Sequence, residues 1–246
     1  MSFDLSLTQW LVLVGCSLLI GMAKAGIQGT GLMMVPIMAY VFGGRPSTGL
    51  VLPMLIIADI FAVRYYNRHA QWGHIVRLMP MALAGVLVGV FVGGRISEAS
   101  FKAVMAVLIF TGVTVMIWRD LRRIESLPDR RWTAPLTGTA GGFATMMGNA
   151  AGPIMSLYLL AMRLPKLNFI GTAAWFFFLI NSFKVPFHII FWKTITPQTL
   201  AINLTMAPAL IGGVFMGIKI VKVIPEKAYR ILVIATTAAA AALLLR

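Results

Sequence analysis

The chain has 246 residues, 59% of them hydrophobic and only 11% charged, against roughly a quarter charged in an ordinary soluble domain. Mean hydropathy is +0.89, and Cys16 is the one cysteine, so no internal disulfide or cysteine metal cluster can form. This composition excludes a water-soluble enzyme, a disordered chain and a secreted disulfide scaffold, and is that of a membrane protein.

The uncharged runs give the architecture in chain order. The first covers residues 5–23. Asp4 and no basic residue precede it, so it is expected to remain as a permanent span. Residues 25–44 follow, and the whole stretch 5–44 is expected to break around Gly26-Ile27-Gln28-Gly29-Thr30-Gly31. Residues 46–63 are interrupted once, by Asp59; a polar loop with His69 and His74 comes next, read as solvated. Runs 78–94 and 103–118 complete the first half. A basic linker then carries Arg119, Arg122, Arg123, Arg130 and Arg131. Run 132–162 is too long for one upright helix, since about 20 residues span the hydrocarbon core. Gly141-Gly142 and Gly148-Asn149-Ala150-Ala151-Gly152-Pro153 are expected to break it into two short helices. Run 167–192 is interrupted by Lys184, and runs 194–218 and 231–245 close the chain.

These runs predict an all-α polytopic membrane protein of about eight to ten segments, the lower count holding if each broken pair is one hairpin. The formal charge of +14 does not point to nucleic acid, because the basic residues sit mostly singly between apolar runs. The positive-inside bias explains them. With linker 119–131 in the cytoplasm, alternation places Lys24, Arg64, Arg68, Arg77, Arg163, Lys166, Lys219, Lys222, Lys227 and Arg230 on the same side. Only Arg45, Arg95, Lys102, Lys193 and Arg246 fall outside, and both termini face outward.

The chain also repeats itself. Pro80, Gly85 and Gly89 match Pro208, Gly213 and Gly217, and at the same offset Ile96, Glu98, Phe101 and Lys102 match Ile224, Glu226, Tyr229 and Arg230. Pro36-Ile37-Met38 matches Pro153-Ile154-Met155. The expected organisation is therefore a first membrane repeat over residues 1–118, a linker over 119–133 and a second repeat over 134–246. An odd number of segments per half makes the repeats inverted, and inverted repeats with interrupted helices in matching places are the signature of a secondary transporter.

A glycine-rich turn leads into Val35-Pro36-Ile37-Met38. The second half repeats it from Gly138 through Gly141-Gly142 and Gly148 to Gly152-Pro153-Ile154-Met155. With the repeated hairpins and the basic linker, this pattern resembles the sulfite exporter TauE/SafE family, also called the sulfonate uptake/export permeases, from about Gly15 to Leu245. The resemblance implies a multi-pass carrier in a bacterial-type inner membrane. It would move small sulfur-containing or other organic anions, often outward, with no cofactor, no metal and no catalysis.

Such an anion must be desolvated at the membrane midplane. A helix N-terminus supplies N–H donors and partial positive charge without an ionic side chain. Gly29, Thr30 and Gly31 are expected to open one such helix; Gly148, Asn149 and Ala150 lead into another, with Pro153 suited to its first turn. Gln28, Thr30, Thr145 and Asn149 would add side-chain donors. The plainer alternative is that the glycines only permit close helix packing. Asn181, Lys184 and His188 share one helix face by their spacing of three and four. Lys184 lies roughly 13 Å along the helix from Lys193, too deep for easy snorkelling, which makes it a functional-site hypothesis. Lys184 could pair with the anion, Asn181 donate to it and His188 couple a proton; a helix-end carbonyl or a tilted helix is the alternative for the lysine. Asp59 aligns roughly with Asn181 and is expected about 7 Å from the inner boundary. It is either the partner of a basic residue there or a proton-coupling carboxylate. Met146 and Met147 abut the second turn and could line a cavity.

Other function classes are weaker. There is no P-loop, no His-Glu-x-x-His and no Gly-x-Ser-x-Gly, and Asp59 is the only acid inside an apolar run. An accessory or assembly subunit without flux of its own, or a permease for another small solute such as a carboxylate, a thiol compound or a cation, stays open at this point.

Overall fold

The computed structural model describes residues 5–27, 29–121, 132–225, 228 and 231. Among them are nine α-helices and no strand: α1 (Leu7–Lys24), α2 (Gly29–Phe42), α3 (Gly44–Tyr66), α4 (Trp72–Arg95), α5 (Glu98–Leu121), α6 (Thr133–Gly148), α7 (Gly152–Ala161), α8 (Lys166–Pro186) and α9 (Pro197–Val223). A 3-10 turn, Asn67–His69, extends α3, and a turn of π-helix, Phe187–Phe191, extends α8. Gln28, residues 122–131 of the basic linker and nearly all of the last apolar run lie outside the described residues.

Local sequence explains where the helices start and stop. Ser6 caps α1 in a reciprocal box with Gln9, and Thr196 caps α9 in the same way with Thr199, ahead of Pro197. At the end of α6, Asn149 takes the left-handed conformation (φ 53°, ψ 27°), and its N–H and that of Ala150 return to the Thr145 and Ala144 carbonyls. Pro153 sits in the first turn of α7. Among the described residues, five helical stretches are long and apolar enough to cross a membrane: Leu7–Lys24, Gly44–His69, Trp72–Arg95, Lys166–Phe191 and Pro197–Val223. Leu11, Tyr40, Leu136 and Leu204 project outward, exposed, as side chains facing lipid do.

Glycine sets the closest packing. On α1 and α9, Gly213 faces the Leu18 backbone and Gly217 faces Met22 and Ala25, so the contacts advance together and the helices run parallel. On α4 and α6, Gly138 faces Leu78 and Met81, Gly142 faces Ala82, Gly85 faces Thr139 and Phe143, and Gly89 faces Met146. That pair is parallel too. The matched glycines Gly85/Gly213 and Gly89/Gly217 thus hold equivalent contacts, α4 on α6 and α9 on α1. Without a Cβ the backbones approach closely, which is how helices gain packing energy in lipid. Helices α3 and α8 run antiparallel: Gly171 faces the backbone of Tyr66 and Ala70 at one end, and Gly49 faces Thr194 at the other.

One expectation needs correcting. The break in run 132–162 falls at Asn149–Ala151 alone; Gly141-Gly142 lies inside α6. An unstrained helix tolerates glycine where a neighbour takes the missing side chain's place, and Ala82 of α4 does so against Gly142. Helix α7, with 10 residues, is roughly 15 Å long and α2, with 14, roughly 21 Å, both short of the ~30 Å core. Met146 and Met147 are fully buried packing side chains against Gly89 and Gly93.

Candidate functional site

The chain turns back twice in the protein's interior. At the first turn, α1 ends on Lys24 and α2 starts at Gly29. Gly26 has φ 125°, a conformation that favours glycine, and the Tyr66 hydroxyl donates to the Ala25 carbonyl at 3.1 Å. Thr30 fastens the turn, its hydroxyl donating to the carbonyls of Ile27 (2.8 Å) and Leu19 (3.1 Å). At the second turn, α6 gives way to α7 through Asn149-Ala150-Ala151.

Helix α8 passes between these turns with a polar face. Asn181, Lys184 and His188 are all buried on it, at 1%, 0% and 0% exposure. Asp59 of α3, also at 0%, is ten residues from the end of the Gly44–His69 stretch, or roughly 15 Å along the helix. Asp59 has two partners. Lys24 Nζ lies 2.8 Å from Oδ1, and Asn181 Nδ2 donates to Oδ2 at 2.8 Å. Lys184 continues the chain of contacts, its Nζ donating to Asn149 Oδ1 at 2.6 Å, Thr145 Oγ1 at 3.2 Å and Asn181 Oδ1 at 3.3 Å. Asn149 Nδ2 donates to the Thr48 carbonyl at 3.2 Å. One network thus ties both turns to α3 and α8.

A cavity of about 60 Å³ lies against this network. That is several times the ~10–15 Å³ that a single water needs. Its wall includes Gly31 from the first turn of α2, Gly152 at the start of α7, Thr145, Asn149 and Asn181, with Lys24 and Phe177 on the side of the first turn. The Lys24 ammonium sits 4.3 Å from the centre of the Phe177 ring. Among the described residues the wall carries no carboxylate.

The sequence reading and the structure meet on Gly31, Thr145, Asn149 and Asn181. Lys184 stands one layer behind the wall, its Nζ held by three residues that line it. Gly29 opens α2, while Thr30, Gly148 and Ala150 form the turns themselves: Gly148 packs on Met105 and the Ala150 N–H returns to Ala144. Gln28 lies outside the described residues. His188 points elsewhere, with Nδ1 2.8 Å from Thr194 Oγ1 and its ring edge-on to Trp192 at 5.0 Å. The residue that sequence reasoning missed is Lys24. Counted in the sequence only as a basic residue at a span's end, it is also the cation of the cavity wall; the signal was Asp59, the one acid inside an apolar run, which needs a counter-charge.

A model of the sulfite exporter TauE/SafE family matches residues 13–244, nearly the full chain. The chain belongs to that family. No curated protein and no solved structure matches it. Membership makes it a multi-pass membrane permease of the sulfur-anion type rather than a member of an enzyme family. The packed, apolar-surfaced helices agree with this.

Proposed function

We propose that this TauE/SafE chain is a secondary-active transporter of a small sulfur-containing or organic anion, of the sulfite or sulfonate kind. It exports its substrate by alternating access about the cavity between the two turns. The observation that carries this reading is that cavity: acid-free in its wall among the described residues, and bounded by two helix starts, the Lys24 ammonium, and the Asn149 and Asn181 amides. Helix starts and a cation are what a desolvated anion needs in place of water.

In this reading the organisation is a first repeat over residues 1–118, a linker over 119–133 and a second repeat over 134–246, inverted with respect to each other. The exchange of partners, α1 with α9 and α4 with α6 through matched glycines, supports that arrangement. The protein lies in an inner membrane with linker 119–131 in the cytoplasm and both termini outside, a placement that the distribution of basic residues supports. Gly31, Gly152, Thr145, Asn149 and Asn181 bound the substrate; Gly29, Thr30, Gly148 and Ala150 shape the turns that present them. Lys184 aligns the two amides. Asp59 and His188 are the side chains that would exchange a proton during the cycle.

Transport by the purified chain in liposomes tests this. Saturable sulfite or sulfonate flux is the expected result; a folded preparation that moves neither, but assembles with a second membrane protein that does, would make it an accessory subunit.

A further inference from the structure

The face that α8 turns to the cavity changes character along its length. Ile170, Ala173, Ala174 and Phe177 line the cavity and, by helical spacing, share one face of α8 with Asn181. The polar groups are gathered at one end: Thr145, Asn149 and Asn181 lie within 3.2, 2.6 and 3.3 Å of the single Lys184 Nζ. The other end is apolar. Along α8, Ala174 lies roughly 10 Å and Ile170 roughly 16 Å before Asn181. Ile170 packs on Gly26 in the first turn, and α1 adds Ile20 and Ala23 to the wall. Ile170, Ala173 and Ala174 are only 2%, 3% and 4% exposed, so this surface does not serve to meet lipid. Their side chains offer no donor, and an oxyanion resting on them would give up hydration without replacement.

We propose that this apolar end is a subsite for an alkyl group carried by the transported anion, and that Ala173 and Ala174 set how large that group can be. The oxyanion head lies at Thr145, Asn149 and Asn181, and the alkyl group lies along Ala174, Ala173 and Ile170. This names the substrate class of the cavity and rests on the transport reading above. A few polar groups that fix orientation beside a larger apolar surface are the usual division of a small-molecule site. The alanines act by what they lack, since a longer side chain at either position would occupy the space of the alkyl group. Each methylene of the substrate buried against this wall adds about fourfold in affinity, until that space is filled.

The test uses methane-, ethane-, propane- and butanesulfonate as inhibitors of sulfite flux through the full chain in liposomes. All four carry the same head with the same charge, so differences between them report the alkyl group alone. On wild type the inhibitory concentration should fall about fourfold per added methylene over at least the first two steps. Ala174→Leu fills the apolar end and should flatten or reverse the series. Ala173→Val, a smaller insertion, should flatten it in part, and Ile170→Ala should extend it to longer chains. Ratios taken within one variant cancel differences in yield and flux. Partitioning of the longer chains into lipid is the same for every variant, so it cannot produce a difference between them. A flat series on wild type would overturn the subsite, as would a series equally steep in wild type, Ala174→Leu and Ala173→Val. Both results leave sulfite flux and the transport reading standing. A wild type with no anion flux at all would remove the transport reading and this inference with it.

Discussion

Replacing Asn149 with glycine separates the work of its side chain from that of its backbone. The residue has φ 53°, which glycine adopts at no cost and alanine at ~1–2 kcal/mol. Its side chain accepts from the Lys184 ammonium and donates to the Thr48 carbonyl. Losing the charged bond costs about 1.5–3 kcal/mol and the neutral one about 0.5–1.5 kcal/mol. Asn149→Gly should therefore destabilise the protein by about 2–4.5 kcal/mol, and Asn149→Ala by about 1–2 kcal/mol more. At roughly 2–4 °C per kcal/mol for a chain of this size, Tm should fall by about 4–18 °C in the glycine variant and further in the alanine one. The assay is thermal unfolding in detergent, with and without methanesulfonate. A ligand that binds only the folded state raises Tm by an increment that grows with the logarithm of its affinity, and the glycine variant should lose most of that increment because Lys184 and the α7 start are no longer aligned. A glycine variant melting with wild type, or one keeping the full ligand increment, would refute the role given to this side chain.

Other substitutions test other parts of the account. Asn149→Asp keeps an acceptor for Lys184 but puts a carboxylate into the cavity wall, and should lower anion flux by about tenfold or more while leaving the protein folded. Gly213→Ala drives a Cβ into the Leu18 carbonyl and should cut the yield of monodisperse protein, whereas Gly15→Ala, with nothing within 4 Å, should purify and melt as wild type. Tyr66→Phe removes the bond to the Ala25 carbonyl. It should cost about 1 kcal/mol and be read as faster amide exchange in the first turn. A reporter fused to the C-terminus should be active outside the cell; activity inside would invert the assigned orientation.

Much of this protein was legible because lipid leaves so few choices. Runs without charge had to be helices, and the two glycine-rich breaks fell where α1 meets α2 and α6 meets α7. Glycine was harder to read. Gly141-Gly142 looked like a break, yet the loss of a side chain there serves contact with Ala82, a neighbour far away in sequence. The matched glycines Gly85 and Gly213 were visible as a repeat, but their shared role in interhelical packing depended on which helices meet. In the site, the face of α8 was legible from the spacing of Asn181, Lys184 and His188. Its partners were not, since Asp59, Asn149 and Lys24 come from three other segments. Lys24 in particular obeyed the rule for a basic residue at a span's end, so nothing local marked it as the ammonium paired with Asp59.

The claim at the centre of this account is that the chain alone carries a small anion through the cavity between its two turns. The most direct measurement is sulfite flux in liposomes reconstituted with the purified wild-type chain, beside Asn149→Asp. The account predicts saturable flux from wild type and little from the variant. Absence of flux from folded wild type, or equal flux from both, would contradict it.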